Sequence, residues 1–271
     1  MSAAVPFEIM GVINVTPDSF SDGGEWFDRD AAVTHGFRLA AEGAAILDVG
    51  GESTRPGAVP VAEDEELRRT EPVVRVLART GATVSIDTTK LAVAEAALDA
   101  GASYVNDVTA FRAAPDMAGL TADRGARCCL MHMLGEPRTM QQSPRYGDVV
   151  DEVKAFLLDR AEFAVREGVR EDRIDLDPGI GFGKTLAHNL ELLARAQEIV
   201  ALGFRVLIGV SRKSFIHKLA DVPDPLDRVP GTIAANVLAY ERGARVFRVH
   251  DVAQARQALM VASATLHRDG A

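Results

Sequence analysis

Short apolar runs, many of them rich in β-branched residues, recur along the whole chain and alternate with longer amphipathic stretches. Runs of this length and composition predict β-strands. Eight are found, at residues 7–15, 44–50, 83–88, 103–108, 126–133, 173–177, 205–211 and 245–250. Between them, segments such as Val149–Leu157 repeat apolar residues at the spacing of one helix face. The pattern therefore predicts eight strand–helix units.

Glycines mark the predicted helix ends. The helices expected around 90–100 and 232–242 are followed directly by Gly101 and Gly243. Glycine is common there because it readily adopts the left-handed conformation that ends a helix. Four more glycines hold equivalent positions: Gly43, Gly81, Gly125 and Gly203.

Strict alternation predicts an α/β fold with parallel strands, because each helix returns the chain to the same edge of the sheet. Eight units in about 250 residues match a (β/α)8 TIM barrel. A doubly wound open sheet is the alternative. The barrel is favoured because only a barrel brings polar residues from seven strand ends around one small ligand. No linker or low-complexity tract divides the chain, so we expect a single barrel domain over residues 1–271.

Polar side chains stand at the ends of these predicted strands. In the clearest case, Asp177 ends an apolar run and is followed by Pro178 and three glycines at spacing two. A charged side chain next to glycine-rich backbone, which adopts conformations that other residues resist, is typical of a ligand site. The same layout recurs after other runs, at Asn14, Asp87, Asn106–Asp107, His132, Ser211–Lys213 and Arg248–His250.

Composition and charge exclude several classes of protein. With 47% hydrophobic and 25% charged residues, the chain has the make-up of a soluble globular protein. Its net charge of −9 has the wrong sign for non-specific binding to nucleic acid or anionic lipid. No apolar run reaches the ~20 residues of a membrane helix, and the first residues do not resemble a signal peptide. We therefore expect a cytoplasmic protein with no nucleic-acid or membrane partner.

The two cysteines, Cys128 and Cys129, are adjacent in an apolar run. Metal binding or redox chemistry would favour a spaced pair, so we expect both to be reduced and packed in a strand.

Eight segments, in order along nearly the whole chain, resemble the dihydropteroate synthase family, folate-pathway enzymes that join a pterin to p-aminobenzoate. One such segment is weak evidence, but eight in register are strong. They are Asn14–Gly24, Gly51–Gly57, Ser85–Thr88, Asn106–Val108, Met131–Met133 with Gly135, Pro137 and Met140–Gln141, Asp177–Lys184, Ser211–Phe215 and Arg248–Asp251.

The resemblance implies a pterin site. A pterin ring has a guanidine-like edge with adjacent N–H donors, whose natural partner is a buried carboxylate accepting two parallel bonds. The family pattern assigns this role to Asp177. It places Asn106 and Asp87 on neighbouring ring positions, Lys213 on the ring carbonyl, and Met131 and Phe182 on the ring faces. Gly181 and Ser211 are further implied substrate-binding residues.

The residues by themselves leave alternatives open at four positions. Met131 could simply fill the core. Asp177 could cap the glycine loop, and Asn106–Asp107 could form an Asx turn. His132 could support the site as a packed histidine or take part in catalysis.

The resemblance also implies a diphosphate leaving group and magnesium. It assigns the diphosphate to Arg55, Arg248 and His250, with Val249 also in the substrate-binding set. Asn14 would offer an amide oxygen to Mg²⁺, which prefers hard oxygen ligands. The family pattern gives catalytic roles to Lys213, Arg55 and Asp87.

The loops at 16–24 and 52–60 would form the p-aminobenzoate pocket, again by resemblance. Phe20, Thr54 and Pro56 would touch p-aminobenzoate, and sulfonamides would compete for this pocket. In these loops we expect Asp18, Asp22 and Glu52 to repel one another until a ligand binds. The resemblance further implies a homodimer through the late helices.

Two other functions stay open. One is a methyltransferase of the same pterin-binding barrel family, which would not need the diphosphate set of Arg55 and Arg248–His250. The other is a non-catalytic pterin-binding paralogue, which we would expect to lack one or more of Asn14, Arg55 and Lys213. All of these residues are present.

Overall fold

The structure is a computed structural model that describes residues 7–15, 25–54 and 57–266. Eight parallel strands form a closed barrel in sequence order. The ladder between the first and last strands closes it, with Glu8 opposite Val246 and Gly11 opposite Val249. The strands are β1 (Glu8–Asn14), β2 (Ile46–Gly50), β3 (Thr83–Asp87), β4 (Tyr104–Asp107), β5 (Arg127–Met131), β6 (Ile174–Asp177), β7 (Arg205–Ile208) and β8 (Val246–Val249). The predicted (β/α)8 barrel is confirmed over the open sheet.

Ten α-helices connect and follow the strands in the described residues. They are α1 (Glu25–Glu42), α2 (Glu63–Ala78), α3 (Leu91–Asp99), α4 (Met117–Asp123), α5 (Val149–Arg166), α6 (Leu186–Ala194), α7 (Ala196–Val200), α8 (Ser214–Ala220), α9 (Val229–Glu241) and α10 (Val252–Leu266). All six predicted helix-end glycines have positive φ angles. Among the described helices, none combines the length and hydropathy of a bilayer-spanning segment.

The middle of the barrel is apolar. Successive side chains of a strand point to opposite faces, so alternate residues of each strand share the interior. One buried cluster fills this central layer: Met10, Ile46, Tyr104, Cys129, Leu207 and Val246. Cys128, one residue before Cys129, belongs instead to the larger core. Both thiols are buried and unbridged, as the sequence predicts.

An ion network lies two residues earlier along the strands, towards the N-terminal end of the barrel. Asp175 is 1% exposed and accepts a hydrogen bond from the Tyr104 hydroxyl at 2.7 Å. It also forms ion pairs with Arg127 Nη2 and Arg205 Nε, each at 3.0 Å. Both arginines also pair with Glu8, at 3.2 and 2.6 Å. Burial raises the pKa of Asp175, although the two arginines oppose the shift.

A polar layer lies two residues later, towards the C-terminal end of the barrel. Asp48 follows Ile46 at this spacing, Asn106 follows Tyr104, and Arg248 follows Val246. The alternation that builds the apolar layer therefore also delivers the functional side chains to the opposite end of the interior.

The ion network generates a stability prediction. Asp175→Asn should lower the free energy of unfolding by about 3–5 kcal/mol, because it removes the buried carboxylate and leaves two partly buried guanidinium groups with Glu8 alone. Urea denaturation followed by circular dichroism would measure the loss. Asp172→Asn, at an exposed pair with Arg170, is the control and should change stability little. Equal stability of the Asp175 and Asp172 variants would contradict a structural role for the network.

Candidate active site

An arginine held between two carboxylates forms the floor of the barrel mouth. Arg248 Nε donates to Asp48 Oδ2 at 2.6 Å, and its Nη2 donates to Asp87 Oδ2 at 2.7 Å. The amide of Asn106 donates to the same Asp48 oxygen at 3.1 Å. Asp48 is fully buried, and its Oδ1 has no hydrogen-bond partner in the described part of the chain. Residues from strands β2, β3, β4 and β8 thus meet in one network.

The floor carries more negative than positive charge. Burial raises the pKa of Asp87 to about 7, because Arg248 offsets only part of the desolvation and Asp48 adds repulsion. Burial alone would lower the pKa of Arg248, but Asp48 and Asp87 outweigh it and raise the pKa. Two carboxylates around one guanidinium leave a net negative charge whenever Asp87 is ionised.

One carboxylate oxygen of Asp177 is hydrogen-bonded within the protein, and the other lies beside the barrel mouth. Its Oδ1 accepts a hydrogen bond from Gly179 N at 2.7 Å. A Cβ added at Gly209 would lie 3.7 Å from Asp177 Oδ2 and 3.9 Å from Lys213 Nζ, so both groups border the space above Gly209. Burial raises the pKa of Asp177, and Lys213 opposes that rise. Asp177 therefore caps the glycine loop through Oδ1, while Oδ2 borders the mouth.

Lys213 lies against the glycine loop. Its Nζ donates to the Ile180 carbonyl and lies 4.6 Å from the centre of the Phe182 ring. Burial lowers the pKa of Lys213 to about 8, although Asp177 opposes the shift. The side chain is therefore still mostly a cation at neutral pH.

The glycine loop packs directly on the backbone beyond β5. Gly179 has φ 68°, and a Cβ there would lie 1.9 Å from the His132 carbonyl oxygen. Gly183 has φ 62°, and its Cβ would lie 2.5 Å from the Leu134 carbonyl oxygen. Gln141 Nε2 donates to the Gly181 carbonyl at 2.5 Å. Only glycine permits contacts this close, so the loop has one shape.

An apolar wall lines one side of this loop. Phe182 packs against a buried cluster consisting of Val108, Met131, Met133 and Met140. Met131 is 3% exposed and continues the inward-facing row of β5. The structure thus brings the two predicted ring-facing residues, Met131 and Phe182, into one cluster.

The structure distinguishes the roles of Asn106 and Asp107, which the sequence left open. Asn106 points into the floor network, whereas the Asp107 oxygens accept from the backbone of Thr109 at 2.7 Å and Phe111 at 2.8 Å. Asp107 is therefore the turn residue of the pair.

His132 is a packed support. It is 6% exposed, and its Nδ1 lies 2.9 Å from Lys184 Nζ. Burial, and secondly Lys184, lower the pKa of His132 to about 3. The ring is therefore neutral at physiological pH and accepts the lysine hydrogen bond at Nδ1.

Of the remaining described site residues, Ser211, His250 and Asn14 lie at or just beyond strand ends. Ser211 Oγ and His250 Nδ1 are 2.9 Å apart. Asn14 is half-buried at the end of β1, where its register partner is Gly50. Val249 is fully buried in the main core, so its side chain does not join the others.

Thr54 borders a small pocket that also includes Glu52, Asp87 and Lys90. Glu52 accepts from Lys90 Nζ at 2.6 Å and from Val61 N at 2.9 Å. Lys90 also pairs with the buried Glu66, so one cation serves two carboxylates. The repulsion expected between Glu52, Asp18 and Asp22 stays a prediction. Phe20, Arg55 and Pro56 lie outside the described residues, as do Asp18 and Asp22.

Comparisons with known proteins agree on one family. The family model described as "Pterin binding enzyme" matches residues 10–250. The dihydropteroate synthase of Mycobacterium leprae is 49% identical over 268 residues, covering 97% of this chain and 94% of that protein. The chain belongs to the dihydropteroate synthase family.

Two solved dihydropteroate synthases extend the similarity to the fold. The Yersinia pestis enzyme, solved as a sulfonamide drug complex, has a TM-score of 0.90 and 42% identity, covering 98% of this chain and 96% of that one. The Xanthomonas albilineans enzyme in complex with 7,8-dihydropteroate has a TM-score of 0.87 and 45% identity, covering 96% and 94%.

Two residues of this dihydropteroate synthase family member were missed by sequence reasoning. Asp48 lies inside β2, two residues before its end, and a search restricted to strand ends passes over it. Its signal was a lone charge in an otherwise apolar strand, in alternation with Ile46. Lys184 gave no such signal, because its partner His132 is distant in sequence.

The tight glycine contact generates a prediction. Gly179→Ala should abolish pterin binding and destabilise the fold, because its Cβ would overlap the His132 carbonyl in a backbone conformation that alanine resists. Isothermal calorimetry with a pterin and thermal melting would measure both effects. Gly203→Ala, at a positive φ but with nothing within 4 Å of the added Cβ, is the matched control and should keep wild-type pterin affinity. Normal pterin affinity in the Gly179 variant would refute this geometry.

Proposed function

We propose that the protein is a dihydropteroate synthase, a transferase of folate biosynthesis. It joins 7,8-dihydropterin-6-ylmethyl diphosphate to p-aminobenzoate and releases 7,8-dihydropteroate and diphosphate. The observation that carries the proposal is the pairing of a buried, mouth-facing carboxylate, Asp177, with Lys213 at the C-terminal end of a pterin-family barrel. The Xanthomonas albilineans relative bound to 7,8-dihydropteroate supports the same product here.

The pterin ring occupies the space above Gly209. Asp177 Oδ2 accepts N–H donors from the guanidine-like edge of the ring, while Oδ1 stays on Gly179 N. Lys213 donates to the ring carbonyl. Asn106 and Asp87 interact with the neighbouring ring positions, and Met131 and Phe182 bound the ring faces. The apolar walls exclude water and so strengthen the polar contacts.

The reaction exchanges a C–O bond for a C–N bond. The bond between the pterin methylene and the diphosphate oxygen breaks, and both electrons leave with the oxygen. The amine lone pair of p-aminobenzoate then forms the C–N bond, and the nitrogen loses a proton. In this dissociative order the methylene carries positive charge, which the net negative floor of Asp48, Arg248 and Asp87 stabilises.

Magnesium fits the site only as a partner of diphosphate. In the described residues, no cluster of three histidine, cysteine or carboxylate side chains forms a metal cage. Asn14, half-buried at the mouth, offers an amide oxygen, and Mg²⁺ at such sites takes its other ligands from phosphate and water. When bound, it would offset the charge of the departing diphosphate. Arg55 and His250 supply further positive charge or N–H donors there.

The second substrate, p-aminobenzoate, binds beside the mouth with Thr54, Phe20 and Pro56. Thr54 borders the pocket that reaches Asp87, which places this side of the mouth next to the floor network. We further propose a cytoplasmic homodimer, as the family resemblance implies.

One assay tests the proposal and separates it from the alternatives. Purified protein is incubated with the pterin diphosphate, p-aminobenzoate and Mg²⁺, and dihydropteroate is quantified by chromatography. A sulfonamide should inhibit the reaction, and added p-aminobenzoate should relieve the inhibition. Pterin binding without dihydropteroate formation would favour a non-catalytic paralogue. Methyl transfer from a reduced folate would favour the methyltransferase.

The carboxylate of Asp177 generates a binding prediction. In Asp177→Asn, the side-chain oxygen still accepts the hydrogen bond from Gly179 N. The new NH₂ group therefore faces the N–H donors of the ring. Pterin affinity should fall by about 2–5 kcal/mol, because buried donors are left facing each other. Calorimetry with 6-hydroxymethylpterin measures the loss. Asp175→Asn, two residues away on the same strand, is the control and should keep the affinity. An unchanged affinity in Asp177→Asn would remove this residue from the site.

The shifted pKa values generate a pH prediction. As pH falls through about 7, Asp87 takes a proton and the floor loses its net negative charge. As pH rises through about 8, Lys213 loses its positive charge. The profile of kcat/KM against pH should therefore be bell-shaped with its maximum between these values. In Lys213→Arg the alkaline limb should move to higher pH, because arginine stays protonated. An alkaline limb unchanged in that variant would exclude Lys213 as its source.

A further inference from the structure

Lys184 is a buried lysine that no step of the proposed reaction uses. It is 3% exposed, at the end of the glycine loop. Its Nζ contacts His132 Nδ1 at 2.9 Å, the Phe182 carbonyl at 3.0 Å and the His132 carbonyl at 3.4 Å. All three partners are uncharged. Burying a cation among neutral groups is costly, and burial lowers the pKa of Lys184 to about 7 although Asp177 opposes the shift.

The partners of Lys184 belong to two separate pieces of chain. The Phe182 carbonyl is part of the glycine loop that follows β6. His132 follows directly after Met131, the last residue of β5. An ammonium group has three donors, so one lysine links the two pieces at several points.

These two pieces carry the two apolar walls of the pterin slot. Phe182 stands on one piece and Met131 on the other, and they pack in one cluster. A change in the separation of the two backbones would change the position of one wall relative to the other. We propose that Lys184 is a positioning residue for the pterin ring, because it ties the loop of Phe182 to the end of β5 and so fixes the slot between Phe182 and Met131.

The link also affects the polar side of the slot. Lys213 donates to the Ile180 carbonyl and lies over the Phe182 ring, so a shift of the loop would move Lys213 as well. The positive charge of Lys184 helps to keep Asp177 ionised. Lys184 thus acts on the pterin through groups that touch the ring.

This role rests on the proposed pterin binding, and calorimetry with 6-hydroxymethylpterin tests the two separately. Wild-type protein that does not bind the pterin would refute the proposed function itself. If the wild type binds, Lys184→Met should weaken pterin affinity about 10- to 100-fold, the size of effect that a small misplacement of binding groups produces. The KM for the pterin diphosphate should rise in parallel, while the KM for p-aminobenzoate should stay within about threefold of wild type.

Asp175→Asn is the control for general destabilisation, because it weakens the far end of the barrel. If Lys184 acted only through fold stability, an Asp175 variant of equal or lower melting temperature would lose pterin affinity to the same extent. That outcome would overturn the proposal. Unchanged pterin affinity in folded Lys184→Met would overturn it too.

Two variants of His132 test the same hydrogen bond from the acceptor side. They also test the proposal if Lys184→Met does not fold. His132→Asn keeps an acceptor near the position of Nδ1, whereas His132→Leu removes it. We expect the leucine variant to lose pterin affinity and the asparagine variant to retain most of it. In a double-mutant cycle, the losses from Lys184→Met and His132→Leu should be strongly non-additive. Equal affinities in the two His132 variants, or fully additive losses, would contradict the link.

Discussion

Closure of the ladder between β8 and β1 is the constraint on which the rest of the structure depends. Once eight parallel strands share one closed sheet, their inward side chains share one interior, and all their carboxyl ends open on the same side. The interior then divides into layers two residues apart: an ion network, an apolar layer and a polar floor. Asp48 and Arg248 are far apart in sequence, and the register of the closed sheet brings them to 2.6 Å.

The charged groups of the polar floor and those near the glycine loop differ in the partners that compensate them. In the floor, burial raises the pKa of Asp87 more than Arg248 lowers it, Asp48 adds repulsion, and one Asp48 oxygen has no hydrogen-bond partner among the described residues. Near the loop, Lys184 is surrounded by neutral acceptors. The charged groups that act on it, Asp177 and Lys213, do so without a hydrogen bond to it. The mouth as a whole therefore favours a ligand that brings N–H donors to its carboxylates and an acceptor to Lys213.

The fold could be predicted from the sequence because its signal is local. Each strand is a short apolar run, and the six glycines predicted at helix ends all have positive φ angles. The strand-end residues Asp87, Asn106 and Asp177 could be found for the same reason. What could not be predicted depends on contacts across the barrel. Nothing in the sequence distinguishes Asn106 from Asp107 as the inward residue without the register.

The other misses have the same origin. The ion pair of Glu52 could not be predicted because Lys90, its partner, approaches from the segment after the next strand. Lys184 gave no signal because its role exists only once the loop has folded against His132. Val249 lies between two mouth residues in sequence, and strand alternation turns its side chain to the core.

The contact between the Gly179 loop and the chain beyond β5 has a consequence for drug resistance. The position of the loop that carries Phe182 is set by contacts with main-chain carbonyl groups, and a side-chain substitution elsewhere does not relieve an overlap with a carbonyl group. An inhibitor that fills the slot would therefore press on a loop whose backbone position mutation has little freedom to change. An inhibitor that depends on a side chain such as that of Thr54 contacts atoms that a substitution can remove. Escape mutations should thus arise more slowly against compounds that mimic the ring than against those that mimic the amine.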